Sequence, residues 1–328
     1  MKNNQQLTTY QFEFRLYQRK FKRSLLTHHG SWDIREGIIL RLTDETGRVS
    51  WGEIAPISWF GSETLEQAWN FCQNLPQEIT TNRIFAIPST LPACQFGFES
   101  AWEMGNGKQE NEAKSSHFSL PYSHLLPTGK SALQAWQTPW NQGSRTFKLK
   151  IGVANIQEEI KLFNQLIQAL PASTQLRLDA NGGLDQQQAH QWLKIAGEAR
   201  IVEFLEQPLP PNQFDEMLEM SHQYSTPIAL DESVATLKQL EDCYRWGWRS
   251  IFVIKVAIAG SPKRLRQFCQ LQEIDAVFSS VFETAIARQS ALQLATELSR
   301  THRAVGFGVN HWFNEDDETW LEQLWQES

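Results

Sequence analysis

The second part of the chain is built on short apolar runs that recur, from about residue 121 onward, at intervals of roughly 25–30 residues. Helix-like segments such as NIQEEIKLFNQLIQAL separate them. Alternation of buried strands with crossover helices is the signature of a parallel sheet. Eight runs predict a closed (β/α)₈ barrel that is slightly short or lacks a full last helix. The runs are YSHLLP, RTFKLKIG, QLRLDANGG, RIVEFLEQPL, PIALDES, SIFVIKVAI, DAVFSSVFE and AVGFGVN. A doubly wound open sheet is the rival, but no GxGxxG follows the first strand.

The first part of the chain has the pattern of a separate α+β domain. Apolar residues alternate from Tyr10 to Leu16, and GIILRL and RVSWGEI are joined by the turn-forming TDETG, which predicts a hairpin. Helices are expected after Ser62, a candidate N-cap, and over 96–104. We therefore predict an α+β domain over 1–104, a linker over 105–120 and the barrel over 121–311. The C-terminal tail, 312–328, is expected to pack back on the first domain.

Charge and composition narrow the classes of function. The net charge of −7 argues against a polyanionic partner, so no nucleic acid is expected. The sequence contains no apolar stretch of membrane-spanning length and no signal-peptide pattern, so no membrane partner is expected. Four scattered cysteines suit reduced structural thiols, and we expect a cytoplasmic protein. Oligomeric state is not encoded in any pattern that we recognise.

Charged residues stand at the carboxyl ends of five consecutive predicted strands, and a further acid follows the next one. In barrels of this type, chemistry is located at that end of the strands. A single charged residue there would be unremarkable, but the succession of two lysines, three acids and a lysine is hard to produce by chance. The residues are Lys148, Lys150, Asp179, Glu206, Asp231, Lys255 and Glu283.

Asp179, Glu206 and Asp231 supply one carboxylate from each of three neighbouring strands. Three converging carboxylates repel one another unless a cation neutralises them. Oxygen ligands without histidine or cysteine favour Mg²⁺, for which Mn²⁺ is a possible substitute. Such an ion can polarise a bound carboxylate. The alternative, that these acids cap helices or pair with arginines, suits Asp231 but explains Glu206 poorly.

Lys148 and Lys150 share one face of a strand, and Lys255 lies on the other side of the proposed metal, with three strands between them. Two residues along a strand separate the lysine backbones by roughly 6.6 Å. At an effective dielectric constant of about 20, two unit charges at that distance repel by about 2.5 kcal/mol. Lys148 therefore helps to make Lys150 a usable base near neutral pH. The alternative is that both lysines extend to solvent at a strand end.

Such a site suits proton abstraction from the carbon next to a carboxylate, and its motifs resemble those of the enolase superfamily. The motifs are WGEIAPISWFGSET, KLK, LDAN, LEQPL, LDES, FVIK and SSVFETAIA. The resemblance implies an N-terminal α+β capping domain on a (β/α)₈-type barrel, in the subgroup of the muconate lactonizing enzymes. Within it, REG at 35–37, RLDANG and SSVFETAIA are most similar to the o-succinylbenzoate synthase family.

That resemblance implies dehydration of a small-molecule carboxylate, 2-succinyl-6-hydroxy-2,4-cyclohexadiene-1-carboxylate, in menaquinone or phylloquinone biosynthesis. Lys150 would take the alpha proton and then protonate the departing hydroxyl, while Lys255 stabilises the enediolate. The loop 25–32 would form a lid over the site. The residues expected to position catalytic groups or to bind the substrate, including its succinyl tail, are Arg177, Asn181, Glu232, Ser280, Gly306 and Gly308. For Arg177, a structural ion pair is an equal alternative.

Two other functions stay open at this stage. An N-acylamino acid racemase or a muconate-type cycloisomerase would use the same lysines and metal. A catalytically silent barrel would serve in binding or assembly. The last predicted strand, GFGVNHWF, lacks the DxD of dipeptide epimerases, and neither NHWF nor the segment 105–117 has an assigned role.

Overall fold

The N-terminal part of the chain forms a four-stranded antiparallel sheet in a computed structural model that describes residues 8–27, 30–107, 120–300, 303–308, 313 and 317–326. The strand order is β3-β2-β1-β4. The central strands bury residues on both faces, since Leu40 packs into the main core while Ile39 joins a separate cluster on the other side. The strands are β1 (Thr9–Thr27), β2 (Gly30–Asp44), β3 (Val49–Ile54) and β4 (Glu78–Thr80).

Three helices, α1 (Leu65–Gln73), α2 (Thr81–Phe85) and α3 (Pro92–Gly105), complete this domain. The expectation that Ser62 caps the first helix is wrong. Thr64 is the N-cap and forms a reciprocal capping box with Gln67, whereas the Ser62 hydroxyl accepts the Ile57 N–H. Helix α3 lies directly on β3, where a Cβ on Gly52 would come within 2.2 Å of the Gly97 carbonyl. Glycine is therefore required at Gly52 for this close approach.

The C-terminal part forms a curled parallel sheet whose strands follow one another in sequence order. Its strands are β5 (Ser123–Leu125), β6 (Thr146–Lys150), β7 (Gln175–Asp179), β8 (Val202–Glu206), β9 (Ile228–Leu230), β10 (Ile251–Lys255) and β11 (Asp275–Ser279). An eighth segment closes the barrel, because Val305 pairs in parallel with Tyr122 on one edge and Gly306 with Ser279 on the other. The predicted barrel is confirmed, with an eighth strand reduced to two bridging residues.

Helices cover the outside of the barrel and connect successive strands, as parallel pairing requires. They are α4 (Ala132–Ala135), α5 (Gln137–Asn141), α6 (Ile156–Ala169), α7 (Gln186–Glu198), α8 (Phe214–Gln223), α9 (Leu237–Arg245), α10 (Val256–Ala259), α11 (Pro262–Leu271) and α12 (Ala285–Leu298). In the described part of the chain, none of the helices combines the length and the apolar character needed to cross a bilayer.

A last helix, α13 (Asp317–Gln326), packs against the N-terminal sheet. Trp320 meets the Tyr17 ring edge-on at 5.2 Å between centroids, and Trp325 meets Trp51 at 4.7 Å. Two segments have no role assigned from the sequence, 105–117 and NHWF at 310–313. Residues 108–117 of the first and 310–312 of the second lie outside the described residues. So do residues 28 and 29 of the expected lid; the residues on either side of them continue the β1–β2 hairpin.

Candidate active site

The parallel register of the barrel strands brings the predicted charged residues to one height. Lys150 on β6 is opposite Asp179 on β7, which in turn is opposite Glu206 on β8. Asp231 directly follows β9, and Lys255 ends β10. Because the carboxyl ends of parallel strands form one rim, these side chains gather at the same end of the barrel.

Lys148 lies between two of the carboxylates. Its Nζ is 2.7 Å from Asp179 Oδ2 and 2.8 Å from Glu206 Oε1. Burial by itself lowers the pKa of Lys148, but the negative charges of Asp179 and Glu206 outweigh burial and raise that pKa well above its usual value. Lys148 is therefore a fixed cation in the floor of the site.

Lys255 and Lys150 stand on either side of this group and differ in their contacts. The Lys255 ammonium is ion-paired with Asp231 and lies 3.9 Å from the centre of the Phe60 ring, a cation–π arrangement. Lys150 is half-buried and makes no ion pair with the described residues. Of the three lysines, Lys150 is the one whose amine is not held by a carboxylate.

Three carboxyl groups of the site have raised pKa values. Burial, and then the charge of Asp179, raise the pKa of Glu206 to about 8. Burial also raises the pKa of Asp231 to about 6, against the opposing effect of Lys255. Glu232 is half-buried beside them, and desolvation raises its pKa as well. Burial is the main cause of each rise, and neighbouring carboxylates add to it.

The carboxylates of the site outnumber the ammonium groups that are paired with them, which fits a divalent cation. Three buried carboxylates (Asp179, Glu206 and Asp231) and the half-buried Glu232 face two ion-paired ammonium groups, and Glu232 Oε2 has no hydrogen-bond partner among the described residues. Within the described residues, no three histidine, cysteine or carboxylate side chains are placed so that they could hold a metal ion, and the ammonium of Lys148 lies between two of the carboxylates. All the available donors are hard oxygens, so the chemistry of the set suits Mg²⁺.

Asn181 and Glu232 lie next to the proposed metal ligands. Asn181 donates its backbone N–H to Asp179 Oδ1 at 3.0 Å and its side-chain Nδ2 to Glu232 Oε1 at 3.1 Å. Both contacts hold a carboxylate in place without occupying the centre of the site. These contacts agree with the expectation that Asn181 and Glu232 support the metal ligands, and both roles stay predictions.

Arg177 is on the same strand as Asp179 but two residues deeper in the barrel. Its Nε donates to Glu203 Oε2 at 2.6 Å, and its guanidinium lies over the Phe204 ring. Glu203 also pairs with Arg303 at 2.6 Å. Of the two alternatives for Arg177, the contacts favour the structural ion pair over positioning of Lys150 or the substrate.

Ser280, Gly306 and Gly308 were expected around the succinyl tail of the substrate, and each makes different contacts in the structure. The Ser280 hydroxyl donates to Glu283 Oε2 at 2.8 Å. The Gly306 N–H donates to the Phe278 carbonyl at 2.8 Å, and a substrate role for the backbone N–H groups near Gly306 stays a prediction. Gly306 closes the barrel, and closure uses its own amide. For Gly308 the structure gives only a close approach, since a Cβ there would lie 3.0 Å from the Ser123 carbonyl; its substrate role stays a prediction.

An aromatic cluster beside the site was not predicted from the sequence. The Trp32 ring contacts those of Trp59 and Phe282 at 5.7 and 5.6 Å, and Phe21 contacts Phe282 at 5.6 Å. Trp59 adjoins Phe60, the residue under Lys255. The available signal was the WF pair inside WGEIAPISWFGSET, which placed two rings next to a recognised motif.

A capping domain on a barrel whose strand ends carry KxK, three acids and a lysine defines the enolase superfamily as the class of this protein. Residues 131–324 match the family model described as "Enolase C-terminal domain-like", and residues 8–104 match "MenC, N-terminal domain". The muconate lactonizing enzyme of Pseudomonas putida has the same fold, with a TM-score of 0.74 at 20% identity over 93% of this chain and 89% of that one.

The more similar relatives identify the branch of the superfamily. The o-succinylbenzoate synthase of Thermosynechococcus vestitus is 40% identical over 96% of this chain and 98% of its own length. A crystal structure of o-succinylbenzoate synthase from Thermosynechococcus elongatus BP-1, complexed with Mg in the active site, superposes with a TM-score of 0.86 at 38% identity, covering 97% of this chain and 100% of that one. The chain belongs to the o-succinylbenzoate synthase family.

Proposed function

We propose that this chain catalyses the Mg²⁺-dependent dehydration of 2-succinyl-6-hydroxy-2,4-cyclohexadiene-1-carboxylate to o-succinylbenzoate in menaquinone or phylloquinone biosynthesis. The observation that carries the proposal is that Lys150 makes no ion pair with the described residues, whereas Lys255 is ion-paired with Asp231. Both lysines stand beside a group of buried carboxylates. Membership of the family supports the choice of substrate. The small-molecule substrate suits a cytoplasmic enzyme, which is part of the same proposal.

Asp179, Glu206 and Asp231 would hold the Mg²⁺ ion. When bound, the ion supplies positive charge beside the substrate carboxylate, where negative charge grows during proton removal. The ammonium of Lys148 contacts two of these carboxylates and would share them with the bound ion. Asn181 and Glu232 would keep the Asp179 side chain and its loop in place.

Lys150 would carry both proton transfers. Its neutral amine takes the proton from the carbon next to the carboxylate, and the electron pair of that C–H bond moves toward the carboxylate. The C–O bond then breaks, and the Lys150 ammonium returns the proton to the departing hydroxyl, which leaves as water. One residue can serve as base and then acid when both groups leave from the same face of the ring.

Lys255 would act as a fixed cation on the opposite face. Its ammonium is ion-paired with Asp231 and lies over the Phe60 ring, and when Asp231 shares its carboxylate with the ion this ammonium would stabilise negative charge on the substrate. A dehydratase of this kind needs only one base. A racemase would require Lys255 to exchange protons as well. The ion pair between Asp231 and this lysine therefore favours dehydration.

The test follows the cyclohexadiene absorbance of freshly prepared substrate with wild-type protein, in Mg²⁺ and in EDTA. We expect rapid decay in Mg²⁺ only. The second arm incubates an N-acylamino acid in D₂O and measures deuterium at the alpha carbon. Deuterium uptake without decay of the cyclohexadiene would replace dehydration by racemisation, and the absence of both would favour a silent barrel.

A further inference from the structure

Backbone strain is concentrated at the proposed site. Within the residues that the structure describes, three non-glycine residues have positive φ: Asn181 (45°), Gln207 (37°) and Phe282 (60°). Each follows the carboxyl end of a barrel strand. Asparagine tolerates left-handed backbone, but this conformation is unfavourable for glutamine and phenylalanine and persists there only where the surroundings enforce it. Gln207 is of most interest because it directly follows Glu206.

The Gln207 side chain is fully buried, and both ends of its carboxamide are used. Oε1 accepts the backbone N–H groups of Asp231 at 2.9 Å and Ser233 at 3.2 Å. Nε2 donates to the Leu209 carbonyl and to the Ser233 hydroxyl, both at 2.8 Å. One amide therefore fixes the main chain on either side of Glu232 and the segment that follows its own strand.

The Gln207 backbone extends this connection to a third loop. Its N–H donates to the Ala229 carbonyl on β9 at 2.8 Å, and its carbonyl accepts the Gly182 N–H at 2.7 Å. Gly182 belongs to the loop that begins after Asp179. Gln207 is thus hydrogen-bonded to the loops that follow β7 and β9 while it lies in the loop that follows β8.

We propose that Gln207 is a positioning residue that sets the mutual placement of Asp179, Glu206 and Asp231 for Mg²⁺. The proposal rests on the function proposed above, in which these three carboxylates hold the ion. Mutually repelling carboxylates do not hold a common geometry by themselves. Backbone hydrogen bonds from one buried amide impose that geometry before the ion arrives, and the left-handed φ of Gln207 is the conformation that lets its side chain reach the Asp231 loop.

A glutamine is required because the position needs two donors and an acceptor on one short, planar group. A leucine would fill the space but would leave the Asp231 and Ser233 amides buried without their acceptor. An asparagine keeps the amide but is one methylene shorter, so it cannot reach both loops. Both changes should loosen Asp231 relative to Glu206 while leaving the ligands themselves in the chain.

The experiment is calorimetric titration of the metal-free, full-length protein with MgCl₂, at a temperature where circular dichroism shows every variant folded. The variants are Gln207→Leu and Gln207→Asn. The control is Gln95→Leu, which removes another buried amide, one that donates to the Ile87 carbonyl outside the barrel rim. We expect the Kd for Mg²⁺ to rise at least tenfold in both Gln207 variants and to stay at the wild-type value in the control.

The outcomes separate the two proposals. Wild-type Kd in a folded Gln207 variant would overturn the positioning role, and equal weakening in the Gln95 control would reduce the effect to general stability. If the leucine variant does not fold, the asparagine variant carries the test. No Mg²⁺ binding by the wild type would instead sink the proposed metal site and function.

Discussion

Lys148 and Lys150 share one face of β6 but are held differently. The ammonium of Lys148 is fixed between Asp179 and Glu206, and these charges keep it protonated. Lys150, two residues further along, makes no ion pair with the described residues. An ammonium fixed by two carboxylates suits an electrostatic role, whereas an amine that is free to approach a ligand suits proton transfer.

The raised pKa of Glu206 makes Mg²⁺ binding depend on pH. Burial, and then Asp179, raise this pKa to about 8, so lowering the pH favours a proton on the carboxyl group that the ion needs. We expect the Kd for Mg²⁺ to fall as pH rises from about 7 to 9, with release of a proton on binding. Calorimetry in two buffers of different ionisation enthalpy measures both quantities. A Kd and a heat independent of pH and buffer would contradict this assignment.

At the scale of elements, glutamates from the capping domain cap barrel helices. Glu53 on β3 accepts the N–H groups of Thr284 and Ala287 at 3.0 and 3.2 Å, at the start of α12. Glu99 on α3 accepts the Lys263 N–H at 3.1 Å, at the start of α11. A carboxylate at a helix N-terminus satisfies unpaired donors and complements the helix dipole. These contacts dock one domain on the other and hold the loop that carries Phe282.

Replacing Glu53 by glutamine tests this docking. The variant keeps the size of the side chain but removes its charge, and we expect a loss of about 3 kcal/mol in the free energy of unfolding, because charge-assisted hydrogen bonds are the stronger kind. The KM for substrate should rise and the Kd for Mg²⁺ should stay unchanged, since the metal ligands are on other strands. Urea denaturation measures the change in the free energy of unfolding.

The matched control for Glu53 is Glu13→Gln, which affects a partly exposed carboxylate paired with Arg41. Exposed pairs contribute roughly 0–1 kcal/mol, so this variant should be close to wild type. Equal losses in the two variants would show that the domain contact of Glu53 has no special weight.

At the scale of the whole molecule, the fold was more predictable from the sequence than the details of the site. Period-two alternation and regular spacing of apolar runs are local properties, and they predicted the barrel and its eight strands. The pairing of Arg177 with Glu203 and the use of the Gly306 amide depend on which strands become neighbours. The multiple contacts of Gln207 likewise join three loops, and no local pattern reveals them.

The tail helix is part of the same assembly, since Trp320 packs on Tyr17 and Ile39 of the N-terminal sheet. Trp320→Ala should cost about 3 kcal/mol of stability, the usual range for removing a buried aromatic ring. Trp246→Ala is the control, because Trp246 is 59% exposed. Urea denaturation compares the two, and equal stability of the variants would mean that the tail contributes nothing to the fold.

The most direct test of the central claim compares Lys150→Ala with Lys161→Ala, a substitution of an exposed lysine on α6. Dehydration is followed by the cyclohexadiene absorbance at saturating Mg²⁺, and calorimetry checks that each variant binds the ion. We predict that Lys150→Ala binds Mg²⁺ but loses activity by about a thousandfold, in the range expected for removal of a general base, while Lys161→Ala keeps the wild-type rate. Wild-type activity in Lys150→Ala would contradict the assignment of Lys150 as the base.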